Sequence, residues 1–291
     1  MRALVQRAAR SRRGARDAIR MGRQRAAEFL EEYAKASRRR RKGRTPAFAG
    51  WLVALGDSWF NYFGYDILAM LEKYHGFKSN AEAATGNRIE SMANQKRYLE
   101  RVFKLLSDDI ALGRIPRAIL LSGGGNDIAD AFEKLLYAAN APQPGWMPAL
   151  DDFIEGKLKQ SYLVIVSAIT EFCIKKLQRT IPVLVHGYAH PVPDGQGALG
   201  RIWLEPGFLR KGYTNLDDRK ALAKILIDKF NDMVKGLRAN FGHVIYVDLR
   251  PVLSADRDYK QYWENELHPT IDGVFKEGFN LVTRRIAAAI P

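Results

Sequence analysis

With 291 residues, 47% of them hydrophobic and 11% aromatic, the chain can bury a full core without disulfides or a structural metal, and one main domain is expected. The single cysteine, Cys173, has no partner for a bridge, which excludes a disulfide-stapled extracellular fold. The net charge of +14 is unevenly placed: residues 1–45 carry sixteen Lys or Arg against four Asp or Glu, whereas residues 46–291 carry thirty against twenty-eight, so the body is nearly neutral and a whole-domain nucleic-acid binder is excluded.

The N-terminal segment, from Met1 to about Arg44, holds the run Arg38, Arg39, Arg40, Arg41, Lys42, which repels itself and reads as a solvated arm. Within it Ala26, Phe29, Leu30 and Tyr33 fall at helical spacing, so a short amphipathic helix is expected over residues 22–36. Such an arm contacts polyanions, either nucleic acid or an anionic membrane, and a tail with no specific partner fits the composition equally. No run approaches the roughly 18 apolar residues of a membrane span, and the N-terminus lacks the apolar stretch of a secretory signal, so the expected location is cytoplasmic.

From Trp51 onward, short apolar runs alternate with longer segments of helical period, the pattern of an α/β domain over residues 46–291. Strands are expected at Trp51–Leu55, weakly at Lys78–Ala83, then at Ala118–Leu121, Pro182–Val185 and Val244–Val247; helices are expected near 65–74, 88–111, 126–139, 156–178, 216–239 and 271–289. Strands joined by helices of this length make parallel crossovers, giving a three-layer α/β/α arrangement with a central parallel sheet of about five strands. In such sheets ligands bind beyond the carboxyl ends of the strands, so the residues just after each strand are the candidates for chemistry.

Gly56-Asp57-Ser58-Trp59 follows the first strand, with a helix expected from about Tyr65, so Ser58 is either a nucleophile at the mouth of the sheet or a capping residue. Thr85-Gly86-Asn87 follows the second strand and by itself is only a turn. Ser122-Gly123-Gly124-Gly125-Asn126-Asp127 follows the third; its glycines allow close backbone approach and Asn126 supplies an amide donor, while the Lys-Ser/Thr pair of a phosphate-binding loop is missing. Near the C-terminus, His268 precedes Pro269 in a loop, the setting of a general base rather than of a core histidine.

These four pieces, in this order, resemble the SGNH hydrolases, also called GDSL esterases and lipases, over about residues 51–290. Block one matches Gly56-Asp57-Ser58, with Trp59 in place of the name-giving leucine; block two matches Gly86, block three Gly124-Gly125-Asn126-Asp127, and block five His268-Pro269. The resemblance implies a flavodoxin-like fold, Ser58 as nucleophile, and an oxyanion hole from the Ser58 and Gly86 N–H groups with the Asn126 side chain. One departure stands out: the family carries Asp three residues before the histidine, and this chain has Asn265. Asn orients a histidine through its carbonyl oxygen but adds no charge, and Glu264 and Glu266 flank it as substitutes.

His186, His190 and Asp194 stand four apart, the spacing of helical metal ligands, but the strand-like run before them and Pro191 and Pro193 among them argue against a metal site. Instead, His186 and Tyr188 are expected to line the substrate cleft, with Trp59 and Asp127 also bordering substrate. The aperiodic segment from His190 to Tyr213, with Trp203 and Phe208, is either a lid or acyl-binding wall or plain packing. The expected activity is hydrolysis of a carboxylic ester, thioester or acetyl ester through an acyl-enzyme, with no cofactor. A catalytically weak or inactive binding protein on the same fold, whose basic arm contacts nucleic acid or anionic membrane, is the alternative.

Overall fold

The computed structural model describes residues 46–198, 200–271 and 277–291. The basic arm, and with it the helix expected over residues 22–36, lies outside the described residues. The described residues from Pro46 to Pro291 form one compact unit.

Five parallel strands form the sheet: β1 (Gly50–Gly56), β2 (Phe77–Ala83), β3 (Pro116–Leu121), β4 (Val183–His186) and β5 (Val244–Val247), in the order β2-β1-β3-β4-β5. The eight named helices are α1 (Ile67–His75), α2 (Ile89–Asn94), α3 (Lys96–Ala111), α4 (Gly125–Ala131), α5 (Lys159–Leu177), α6 (Glu205–Arg210), α7 (Leu216–Gly236) and α8 (Gly278–Ala287). Helices α1 and α8 pack together, α2, α3 and α5 form a second group, and the sheet lies between helical layers as a three-layer α/β/α fold. In β1, β3 and β4 the apolar residues are buried almost without interruption, as strands covered on both faces require. The weak signal of β2 has a positional cause: it is an edge strand, and its sequence, FKSNAEA, carries the polar residues that blunt an open edge.

The helix boundaries depart from the sequence pattern where caps override periodicity. Asp66 caps α1, its carboxylate accepting from Ala69 N at 3.0 Å, so the helix starts at Ile67. The segment expected as one helix over 88–111 breaks at Gln95, whose extended backbone ends α2 and opens α3. Ahead of α5 the chain is already helical from Ala149, through a π-helical stretch at Asp152–Leu158. Helix α6, with Pro206 in its first turn, lies in the aperiodic segment and was not expected. The final helix was expected over 271–289 and begins at Gly278; residues 272–276 are outside those described. Among the described residues no helix is long and apolar enough to cross a membrane.

Candidate active site

The turn after β1 is built around Asp57. One carboxylate oxygen accepts from Trp59 N at 3.0 Å and from the Ser122 hydroxyl at 2.7 Å, and the other accepts from the Tyr188 hydroxyl at 2.7 Å. This ties the ends of β1, β3 and β4 to one buried group. Gly56 permits the approach, since a side chain there would meet the Ser122 Cβ and carbonyl at about 3 Å. The helix that follows is capped by Asp66 and starts nine residues beyond Ser58, so the Ser58 hydroxyl caps nothing. It lies instead 2.7 Å from Nε2 of His268, which arrives from the other end of the chain, 210 residues on.

Asn265 fixes the histidine. Its Oδ1 accepts from the backbone N–H groups of Leu267 and His268, at 3.0 and 3.1 Å, and from His268 Nδ1 at 2.9 Å, while its Nδ2 donates to the Tyr62 hydroxyl at 3.1 Å. Three donors converging on Oδ1 place the imidazole proton on Nδ1 and leave Nε2 to accept from Ser58. The Tyr62 ring lies over the imidazole, with centroids 4.2 Å apart and planes 15° from parallel, and the Trp203 ring meets its edge at 5.8 Å. His268 is 5% exposed, and burial pushes its pKa down to about 3, so the ring is neutral at pH 7.

Glu266 does not replace Asn265. Its fully buried carboxylate accepts from the N–H groups of Gly195, Trp203, Leu204 and Glu205, at 3.3, 2.8, 2.7 and 2.8 Å. Burial raises its pKa against the pull of those four donors. The group therefore pins the segment that carries Trp203 and Leu204 onto the loop that carries His268.

Across from the dyad, Gly124 opens α4 with φ of +94° and with the Phe230 ring only 2.6 Å from where a Cβ would stand, two reasons for glycine at that position. Tyr162 of α5 donates to the Gly123 carbonyl at 2.7 Å. Asn126 donates through Nδ2 to the Asn87 carbonyl at 2.9 Å. Asn87 donates to the Gly56 carbonyl at 2.9 Å, and Ala84 N reaches the same carbonyl at 3.1 Å. The loop containing Gly86, itself left-handed at φ +84°, is thereby tied both to Asn126 and to the end of β1.

Ser58, His268, Asn126, Trp59, Tyr188 and Asp57 border one cavity, whose other walls are largely apolar and include Ile128, Phe132, Leu204, Phe208, Leu226 and Ile227. The space within it, open to solvent at the mouth, is about 630 Å³. Trp59 bridges the two halves of the site, donating from Nε1 to the Leu267 carbonyl at 3.1 Å. Two expected residues stand elsewhere. The Asp127 carboxylate accepts from Ile89 N and Glu90 N at 2.8 and 3.1 Å, at the start of α2, because the first turn of that helix offers unpaired donors; burial pushes its pKa up to about 6. His186 is buried beneath Trp59, stacked on it at 5.4 Å, with Nδ1 on the Gly187 carbonyl, and does not line the cavity. His186, His190 and Asp194 do not converge either: His190 pairs with Asp228 at 2.8 Å and Asp194 accepts from Tyr259. Among the described residues no metal-binding cluster of acids, histidines or cysteines occurs.

Tyr62 was not expected from the sequence. The available signal was density: five of the seven residues from Trp59 to Tyr65 are aromatic, far more than a solvent-exposed turn needs.

No protein-family model matches the chain, and no curated protein matches it. Among solved structures it is similar to a GDSL-like lipase from Bacteroides thetaiotaomicron, at 15% identity with 89% of this chain and 96% of that one covered and a TM-score of 0.44. It is also similar to an acetylxylan esterase from Geobacillus stearothermophilus, at 11% identity with 85% and 96% covered and a TM-score of 0.41. None of these similarities carries residue roles to this chain; the roles rest on its own geometry.

Proposed function

We propose that this protein is a serine ester hydrolase of the SGNH type. The observation that carries the reading is the unbroken relay from Ser58 through His268 to Asn265, at 2.7 and 2.9 Å, facing Asn126 across a cavity. In the proposed reaction Ser58 Oγ bonds to the ester carbonyl carbon as His268 Nε2 takes its proton. The oxyanion is held by the Ser58 and Gly86 N–H groups and by the second N–H of Asn126, whose first is engaged with Asn87. The carbon–alkoxy bond then breaks, His268 returns the proton to the departing oxygen, and water repeats the sequence to free the acid and Ser58.

A catalytically weak binding protein is the competing reading, and the observation favouring it is the uncharged Asn265, which leaves the forming imidazolium without a counter-ion. Labelling by a fluorophosphonate probe, together with hydrolysis of p-nitrophenyl acetate, decides between them. Both are expected for the full chain and lost in Ser58→Ala; a chain that neither labels nor hydrolyses is a binding protein. The +12 segment over residues 1–45 adds polyanion contact to the proposal. Salt-sensitive retention on heparin or on anionic vesicles, lost when residues 1–45 are deleted, supports it; retention unchanged by the deletion rules the segment out.

A further inference from the structure

The two ends of the sheet carry different chemistry. Ser58 follows the last residue of β1, a strand of seven residues, so at ~3.3 Å each the start of that strand lies about 20 Å from it. At this far end stand Phe48, 63% exposed, and Leu112, 64% exposed. The Phe48 ring meets the half-buried Trp51 ring edge-on at 5.9 Å, and the Arg114 guanidinium lies 4.6 Å from the centre of Trp51. Leu112 belongs to the turn that carries Arg114, closed by Arg114 N donating to the Asp109 carbonyl at 2.8 Å. Single exposed apolar residues are ordinary on a protein surface, but these adjoin one another across a tryptophan and form a patch.

The patch is ringed by cations. Gly50, at φ +133°, lets the stem of Arg117 lie against the strand, and the guanidinium donates to the Ala49 carbonyl at 2.8 Å and to Pro291. Helices that return between parallel strands end here, so Lys73 of α1 and Arg284 and Arg285 of α8 lie at this end. Helices α1 and α8 pack together, and burial and then the charge of Arg284 lower the pKa of His75 at the end of α1. The nearest acids are engaged: Glu72 pairs with Lys78 at 3.6 Å, and buried Asp109 accepts from Asn80 at 2.6 Å and faces Arg114 at 3.9 Å. In sequence the run Arg38 to Lys42 ends six residues before Phe48 and adds charge of the same sign. Basic residues at helix C-termini answer the helix dipole and by themselves imply no partner; the apolar patch among them is what the dipole leaves unexplained.

We propose that this end of the body docks on an anionic lipid surface, with Phe48 and Leu112 entering the headgroup region and the arginines around them meeting lipid phosphates. Aromatic and aliphatic tips set among long cationic side chains are the combination that such an interface takes up. A nucleic acid would use the ring of Phe48 and the charges but gives Leu112 nothing to enter. The docking is independent of the hydrolase reading. One consequence rests on that reading: with Ser58 at the opposite end of the sheet, an ester reaches the site from water and not from the bilayer.

The full chain is sedimented with vesicles of phosphatidylcholine alone or with roughly 30% phosphatidylserine. Binding is expected only with phosphatidylserine and should weaken as salt rises. Phe48→Ser combined with Leu112→Ser should weaken it at least about tenfold, since two apolar side chains no longer leave water. Phe48→Trp should retain it. Phe63→Ser is the control: Phe63 is 61% exposed but packs on Tyr62 at the Ser58 end, and its loss should change nothing. Thermal melting checks that each variant is folded. Absence of vesicle binding, equal binding by wild type and the double variant, or a loss in Phe63→Ser instead overturns the assignment. A single-stranded oligonucleotide bound in place of vesicles, with that binding lost in the double variant, identifies a base-stacking surface and overturns it too. Hydrolysis of p-nitrophenyl acetate should proceed at the same rate on and off vesicles. Vesicle binding without any hydrolysis supports the docking and counts against the hydrolase reading alone.

Discussion

Tyr62 and His268 are stacked face to face at 4.2 Å, and the Tyr62 hydroxyl accepts from Nδ2 of the same Asn265 whose Oδ1 holds His268 Nδ1. The stack restrains the tilt of the imidazole, while the hydrogen bond restrains which end of the Asn265 amide faces it. Tyr62→Phe should therefore keep the stack, lose the second restraint and lower kcat by about three- to tenfold, the effect of one neutral hydrogen bond of ~0.5–1.5 kcal/mol. Tyr62→Ala should lower kcat further with little change in KM. Steady-state kinetics on one ester measures both, and equal kcat for wild type and Tyr62→Ala would show that the ring only packs.

Replacing Asn265 by Asp tests whether the missing charge limits turnover. The site is ready for it: a carboxylate accepts from Leu267 N, His268 N and His268 Nδ1 as Oδ1 does now, and the Tyr62 hydroxyl can rotate to donate. Asn265→Asp should raise kcat by at least about tenfold, because a fixed carboxylate stabilises the imidazolium in a water-poor site. Asn265→Ala should lower it. A kcat in Asn265→Asp no higher than that of the wild type would mean that proton transfer is not the slow step.

The depressed pKa of His268 fixes the direction of the pH response. The base is active when neutral, so the acid limb of kcat/KM should lie well below the ordinary histidine value near 6.5, toward about 3. Asn265→Asp should bring the limb back up, since a neighbouring carboxylate favours the charged ring. Stability runs in the same sense. Between pH 6.5 and 3 the unfolded chain protonates this histidine and the native one does not, so its contribution is a loss of stability as pH falls through that window. Circular dichroism at each pH separates unfolding from titration, and an acid limb at or above 6.5 in folded wild type would contradict the burial.

Glu266→Gln distinguishes anchoring from catalysis. A carboxamide keeps one acceptor oxygen and turns its NH2 toward backbone donors, leaving two of the four N–H groups unpaired. A cost of about 1–3 kcal/mol per unsatisfied group should lower the melting temperature by several degrees and speed proteolysis within residues 195–205. If Glu266 were the partner of His268, kcat would instead fall by orders of magnitude at unchanged stability.

Much of this arrangement was legible in the sequence because strand ends are local. Gly56-Asp57-Ser58, Gly124-Gly125-Asn126 and His268-Pro269 each mark a strand-to-helix turn or loop in a few residues, and the structure brings Ser58, Asn126 and His268 to one cavity. Side-chain aim is not local, and there the sequence was silent. Asp127 sits beside Asn126 yet turns to the first turn of α2, because helical neighbours point about 100° apart and two unpaired N–H groups lie on its side. Glu266 and His268 are two apart in an irregular loop and face different elements, Glu266 the N–H groups of Gly195 and of residues 203–205 and His268 the Ser58 hydroxyl. His186 and Tyr188 leave β4 together, but only Tyr188 reaches the cavity wall.

The 210-residue separation of Ser58 and His268 has a consequence for the nascent protein. One partner sits behind the first strand of the sheet, and the other follows the last. During synthesis the N-terminal part of the domain can begin to order while the base is still inside or behind the ribosome. The serine is then an ordinary hydroxyl, with no group to take its proton. On the hydrolase reading, a chain interrupted before residue 268 should be inactive toward esters, however well its first strands pair. Long-range closure of this kind is slow relative to helix formation, so the appearance of fluorophosphonate labelling during refolding should trail the recovery of helical circular dichroism, and its lag would time the arrival of the C-terminal segment.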